Sequence, residues 1–305
     1  MLSVERPASH QHAPCCLCAL HSRRLFTATL LAGGVGALAA PAPAVAQDGG
    51  LREDVGRESR FAKLVPAEEV EAAAAQQYAQ MLRQYTQQNA LVRAQHPQLL
   101  RLRAIAERII PYSQAWNERA RRWSWEVNLL NDAQINAFCM PGGKIAFYAG
   151  ILVKLQLSDD EVATIMGHEM AHALREHARE RLGKTAATRL GAGLLSSLLG
   201  LGSAGDALLN MGGQLLTLQF SREDETEADL VGMDLAARAG YDPAAGVTLW
   251  QKMMGANKGA PPQFLSTHPS GPTRIRDIQA KLPKVQPLFE QAAKPARQFG
   301  PPTAG

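Results

Sequence analysis

Ser158-Asp159-Asp160-Glu161-Val162-Ala163-Thr164-Ile165-Met166-Gly167-His168-Glu169-Met170-Ala171-His172 is the stretch that decides how this chain is read. It opens on a capping box. The Ser158 hydroxyl accepts from the backbone N–H of Glu161, whose carboxylate reaches back to the Ser158 N–H, so a helix is specified well ahead of His168. On that helix His168 and His172 stand one turn apart on one face, the spacing with which two imidazoles grip a single zinc ion. Glu169 sits beside them, placed to reach a water activated by the metal rather than the metal itself. A catalytic zinc takes three protein ligands and keeps a fourth position open, so one ligand must come from elsewhere. His177 is excluded by helical geometry: five steps of ~100° turn it ~140° away from His172, which predicts a solvated surface residue. Arg175 and Ala178 stand where an extended zinc pattern would carry a Gly and a third His. Good helix formers continue to about Leu182, which predicts one helix to that point.

Working back from Ser158, residues 122–150 read as a small antiparallel sheet. Trp123, Trp125 and Val127 alternate with polar residues as in a half-buried strand, and Asn131-Asp132 marks a turn. Ile135 to Met140, then Pro141-Gly142-Gly143, then Lys144 to Tyr148 reads as strand, tight turn, strand. The second of these strands, with Gly143, Lys144, Ile145, Ala146 and Phe147, is expected to offer an edge to which an extended peptide adds by main-chain hydrogen bonds. Cys139 reads as a small buried hydrophobe. Further back, a helix starts at Pro66 and carries Val70, Ala74, Tyr78, Met81, Tyr85 and Val92 at helical spacing until His96-Pro97 breaks it. A second runs from Pro97 to about Arg108, with Leu99, Leu102, Ile105 and Ile109 on one face.

Downstream, Ser221 to Ala239 reads as a helix closed by Gly240 and Pro243. Its acids form two i, i+4 pairs, Glu223/Glu227 and Glu225/Asp229, on opposite sides, and periodicity alone does not choose between them. Several motifs in order then carry a resemblance: Asn136-Ala137-Phe138 with Pro141-Gly142-Gly143, His168 to His172, Ser221-Arg222 with Glu225 and Asp229, and Thr267-His268-Pro269. Over residues 97–282 the chain resembles the HtpX, BepA and LoiP group of gluzincins, relatives of the CAAX prenyl proteases, in a soluble periplasmic form. The resemblance implies a predominantly helical α+β fold, the gluzincin metallopeptidase fold, with a small antiparallel sheet beside the active-site helix. It assigns Glu225 as the third ligand of one Zn2+ per chain, Asp229 as the partner orienting a ligating His, and His268 as a residue that approaches the metal or stabilises the reacting carbonyl. Glu223 and Glu227 are left without a place at the metal. The implied chemistry is hydrolysis of a peptide bond by zinc-activated water, with Glu169 taking the proton and His268 as a second donor to the oxyanion.

The 305 residues are 46% hydrophobic and 20% charged, the composition of ordinary globular material with a sizeable core. The net charge of +4 is scattered, with no Lys/Arg stripe interleaved with aromatics, so no nucleic-acid partner is expected. Residues 1–46 read as a cleaved export signal. Arg23-Arg24 precede the uncharged run Leu25 to Ala40, and Ala44-Val45-Ala46 supplies a small-x-small cleavage site. The twin-arginine route is expected, with the general secretory route as the alternative, and the periplasm as the destination. Cys15, Cys16 and Cys18 leave with that segment, so Cys139 has no cysteine to pair with. Residues 47–65 are expected to form a loose leader, 66–282 the metallopeptidase domain, and 283–305 a flexible Pro-containing tail after a last short helix from Gly271 to Leu282. Residues 190–218, apolar and rich in Gly and Ser, read as a lid, a membrane-surface contact or a packed helix pair. The expected function is a zinc endopeptidase degrading misfolded or misassembled envelope proteins, with unfolded or outer-membrane polypeptides as partners. A zinc-holding, chaperone-like binding protein closed by His268 or by residues 190–218 is the alternative. A membrane-surface adaptor is a third reading.

Overall fold

Three short strands, β1 (Glu126–Leu130), β2 (Ala137–Met140) and β3 (Lys144–Tyr148), alternate their side chains between two apolar layers. Val127, Leu129, Ala137, Cys139, Ile145 and Phe147 face the main core, while Leu130, Met140, Ala146 and Tyr148 face a smaller one. That period of two is what a strand buried on both faces imposes. Helix α1 (Ala67–Gln87) closes the smaller core with Ala74, Tyr78 and Met81. The computed structural model from which this fold is read describes residues 49–190, 215, 218–256, 263–268 and 272–302.

The sheet order is β1-β3-β2. The β2–β3 hairpin is antiparallel as expected, with Gly142 and Gly143 at φ 82° and 78° supplying the left-handed turn. β1, however, lies parallel to β3 on its other side, so the expected antiparallel sheet is mixed and β3 is its central strand. The outer edge of β1 is taken by residues just after α1: Val92 N–H donates to Leu129 O at 3.0 Å, and Asn131 N–H to Ala90 O at 2.7 Å.

The remaining helices are α2 (Pro97–Ile109), α3 (Ala149–Leu155), α4 (Asp159–Leu174), α5 (His177–Leu190), α6 (Arg222–Arg238), α7 (Ala245–Gly255), α8 (Gln263–Thr267) and α9 (Pro272–Gln291). Both bonds of the expected capping box start α4, Glu161 N–H to Ser158 Oγ at 3.2 Å and Ser158 N–H to Glu161 Oε2 at 2.8 Å. Every residue from Glu161 to Leu174 is buried, so α4 is a central helix with no solvent face. It crosses α6 where two glycines meet. A Cβ on Gly232 would stand 2.7 Å from His168 N, and one on Gly167 would stand 2.7 Å from Gly232 O. Backbone therefore packs on backbone at the residue before the first histidine. A second capping box, Ser221 with Asp224, starts α6, and Gly240 at φ 86° follows its end.

Several boundaries differ from the sequence reading. The helix expected to reach Leu182 stops at Leu174, because Glu176 adopts the left-handed conformation (φ 57°) and α5 starts afresh at His177. α1 stops at Gln87 rather than running on toward Val92, with Asn89 left-handed at φ 55°. α9 continues to Gln291 through Pro283 and Pro287, since Val285 and Leu288 hold it to the main core. The segment beyond α9 is tied down too, with Phe299 and Gly300 donating their N–H groups to the Asp159 carboxylate at 2.7 and 3.2 Å. At the other end Leu51 is fully buried and its N–H donates to Asp234 Oδ2 at 3.2 Å, so the segment read as a leader is anchored in the core. The export-signal reading of residues 1–46 and most of the 190–218 reading lie outside the described residues. Among the described residues, no helix is long and apolar enough to cross a membrane.

The glycine crossing generates a test. Gly232→Ala forces a methyl group against the α4 backbone and is expected to destabilise the protein by about 1–3 kcal/mol, read by urea denaturation. Unchanged stability would mean that the helices have room to spare at this point.

Candidate active site

α4 carries His168, Glu169 and His172 inward, α6 brings Glu225 and Asp229 to meet them, and His268 follows directly on α8. His168 Nε2 lies 3.1 Å from His172 Nε2 and 3.6 Å from Glu225 Oε2, and His172 Nε2 lies 3.5 Å from Glu225 Oε1. Zinc bonds of about 2.0–2.1 Å at tetrahedral angles separate neighbouring donors by ~3.4 Å, so these three side chains fit a metal ion without rearrangement. His268 completes a four-donor group whose ligand atoms all lie within 4.8 Å of one another. Its Nδ1 stands 2.9 Å from Glu225 Oε1 and 3.3 Å from His168 Nε2. It is seated there by its own N–H to Phe264 O at 2.8 Å, by a ring stack on Phe264 at 4.6 Å, and by the bond from Phe264 N–H to Ile135 O at 3.1 Å that ties α8 to the approach to β2. Glu169 Oε1 is buried without a hydrogen-bond partner, 3.5 Å from His268 Nε2. A bare carboxylate oxygen beside a four-donor cluster is what a site awaiting a further polar group presents.

Charge is balanced around the cluster by residues that the sequence reading did not single out. Arg274, on α9, forks onto Asp229 through Nε to Oδ2 at 2.5 Å and Nη2 to Oδ1 at 2.7 Å, and donates Nη1 to Glu225 Oε2 at 2.7 Å. Its guanidinium lies 3.6 Å from the centre of the Trp250 ring. Asp229 Oδ1 in turn stands 3.0 Å from His168 Nδ1, which directs the other ring nitrogen at the cluster. Burial works to raise the pKa of both acids, but Arg274 and His168 hold Asp229 below the usual carboxylate range, and His268, His168 and Arg274 do the same for Glu225. Burial raises the Glu169 pKa, and His268, His168 and Arg274 offset that only in part. Burial and the neighbouring histidines push His172 well below the ordinary imidazole value. Burial opposes charge on His268 as well, yet Glu169 and Glu225 raise it.

Two of the sequence expectations need correction here. His177 is not a solvated residue. It is buried, with Nδ1 2.9 Å from His172 Nδ1 and Nε2 2.9 Å from Glu227 Oε2, because the break at Glu176 cancels the angular count along one helix. Gly143, Lys144, Ile145, Ala146 and Phe147 do not offer a substrate edge, since Gly143 lies in the turn and β3 is paired on both sides. Among the described residues β2 pairs with β3 alone, so β2 is the strand with an edge to offer. It borders a cavity of about 170 Å³ lined by Phe138, Met140, Glu169, His172, Phe220 and His268. Cys139 is buried, as read from the sequence.

Two histidines on one buried helix, a glutamate between them and an acid from a second helix match the arrangement expected of an HExxH metallopeptidase of the gluzincin kind. The chain belongs to peptidase family M48, whose profile matches residues 97–282. It is similar to the mitochondrial metalloendopeptidase OMA1 of Schizosaccharomyces pombe, 38% identical over 194 residues, which make up 63% of this chain and 55% of the relative. The Arabidopsis thaliana protein of the same name is 41% identical over 153 residues, 50% of this chain and 30% of the relative. The β-barrel assembly-enhancing protease of Escherichia coli is 27% identical over 176 residues, 54% of this chain and 36% of the relative. The chain thus matches about half the length of these relatives, or less. These matches correct the periplasmic location expected from the N-terminal segment, because the OMA1 relatives are named as mitochondrial enzymes.

Removing the Arg274 charge leaves two buried acids without their compensating cation. Arg274→Met is expected to lower the stability of the metal-free protein by about 3–5 kcal/mol in chemical denaturation. Arg274→Lys should recover only part of that, because an ammonium does not make the fork. A Met variant as stable as the wild type would show that Arg274 does not compensate these acids.

Proposed function

We propose that this chain is a zinc-dependent endopeptidase that cuts extended segments of unfolded or misassembled polypeptides, with His168, His172 and Glu225 holding the metal. The observation that carries the reading is the unpartnered Glu169 carboxylate oxygen, buried beside a donor set with tetrahedral zinc spacing. Zinc bound there supplies Lewis acidity to a water molecule and to the scissile carbonyl. Glu169, its pKa raised by burial toward the working range of a general base, takes the proton of the attacking water and hands it to the leaving amine. His268 Nε2, 3.5 Å from Glu169 Oε1, is within reach of the same reacting group and donates to its developing negative charge. Asp229 keeps the His168 ring aimed, and Arg274 helps to keep Glu225 ionised.

An extended chain adds to β2. The bond from Tyr148 N–H to Asn136 O at 3.1 Å fixes which residues of β2 turn their backbone groups toward β3. By the alternation of an antiparallel ladder, Ala137 and Cys139 turn theirs to the open edge. Recognition through backbone suits unfolded substrates of varied sequence. Misassembled envelope or outer-membrane proteins as the class attacked are supported by one relative's name, a β-barrel assembly-enhancing protease. A zinc-holding, chaperone-like binding protein with a self-closed site is the second reading, and what favours it is His268 seated at the fourth place of the cluster, 2.9 Å from Glu225.

Glu169→Gln separates the two. It is expected to keep its zinc, measured by metal analysis, while cleavage of casein falls by about 10²–10⁴-fold. Should wild type and variant prove equally inactive on every unfolded substrate, the binding-protein reading takes over.

A further inference from the structure

The geometry assigns Glu227 and His177 as positioning residues for His172: we propose that Glu227, acting through His177, fixes the ring orientation and tautomer of this metal ligand. The inference rests on the zinc reading above and extends it to two residues that contribute no ligand atom. His172 directs Nε2 at His168 and Glu225, so Nε2 must keep a free lone pair to bind a metal and the ring hydrogen belongs on Nδ1. The partner of Nδ1 is His177 Nδ1 at 2.9 Å, and two imidazole nitrogens share a hydrogen only if one of them is bare. His177 Nδ1 is then the acceptor, its own hydrogen lies on Nε2, and that group donates to Glu227 Oε2 at 2.9 Å. One assignment of hydrogens satisfies the whole chain, and the Glu227 carboxylate sets its direction.

The chain is held at both ends. Arg175 donates Nε to Glu227 Oε1 at 2.8 Å and Nη2 to Gly56 O at 2.6 Å, which keeps the carboxylate turned toward His177. Phe220 stacks on the His172 ring with centroids 4.0 Å apart and planes 22° from parallel, which blocks the ring from flipping. His177 is 1% exposed with a partner at each nitrogen, so a space-filling role alone does not account for it. The device parallels the direct contact between Asp229 and His168, with one imidazole inserted to cover a greater distance.

The test uses the full chain, stripped with a chelator and reloaded with Zn2+ or Co2+ alone. Competition against a chromophoric chelator gives the metal Kd, and the visible absorption of bound Co2+ reports ligand geometry. Glu227→Ala and His177→Phe are expected to raise Kd by about 10–100-fold and to shift the Co2+ bands. Glu227→Gln keeps one acceptor oxygen for which His177 and Arg175 compete, and should raise Kd by less than Glu227→Ala. Thermal melts of the stripped proteins identify a variant that simply fails to fold. Should both disruptive variants fail, Glu227→Asp, which keeps the charge but draws it away from His177, carries the test with an expected ~10-fold rise. Wild-type Kd and bands in a folded Glu227→Ala, His177→Phe or, failing those, Glu227→Asp variant would overturn the assignment. A wild type that binds neither ion would instead remove the zinc reading on which it rests.

Discussion

The close crossing of α4 and α6 is the constraint on which the site depends. Helices that meet through ordinary side chains stand about 8–10 Å apart. At Gly167 and Gly232 no side chain intervenes, so His168 N lies directly against the α6 backbone. Asp229 then bonds the His168 ring at 3.0 Å, and Glu225 stands 3.6 Å from the other ring nitrogen. The two capping boxes contribute along the helix axes, starting each helix at a defined residue so that the crossing occurs in one register. Because α4 is buried on every side, it has no solvent face to slide toward.

What could be read from the sequence divides along the line between local and remote determinants. The start of α4, the pairing of His168 with His172 and the β2–β3 hairpin are all set within a few residues, and they stand in the structure as read. The choice of Glu225 over Glu223 or Glu227 came from a family resemblance, because both acid pairs obey the same helical period and only α4 distinguishes the faces. His177 was misread for a local reason that is hard to see. The residue that ends the helix is Glu176, a left-handed glutamate where a Gly or Asn would have been legible. The place of β3 in the sheet is a remote determinant. Hydrophobic alternation is identical for a central and an edge strand, and β1 reaches β3 by passing the hairpin rather than joining its end. The tail expected from residue 283 is instead part of α9, where the apolar contacts of Val285 and Leu288 outweigh the backbone bonds lost at Pro283 and Pro287. Arg274 has no signature at all in one dimension, since its partners lie on another helix.

Glu225, Glu227 and Asp229 show how one helix, α6, serves a site from two sides. Glu225 and Asp229, one turn apart, meet His168 on the face that packs against α4. Glu227 points round the helix from them and would ordinarily be solvated. The chain leaving α4 folds over it instead, bringing Arg175 and His177 down onto its carboxylate. The break at Glu176 therefore does more than end a helix. It turns an outward acid into the partner of a buried imidazole.

Burying this many charges together requires that their sum be small. With the acids ionised, Glu169, Glu225 and Asp229 bring three negative charges against the one positive charge of Arg274. Arg274 donates directly to Glu225 and Asp229, while Glu169 has no hydrogen bond at Oε1 and stands 3.5 Å from His268 Nε2. The residual negative charge thus rests beside Glu169, whose pKa burial raises. His268, pushed toward its charged form by Glu169 and Glu225, offsets part of the deficit from inside the cluster. A divalent cation among the same donors would supply the two positive charges that three carboxylates and one guanidinium leave outstanding.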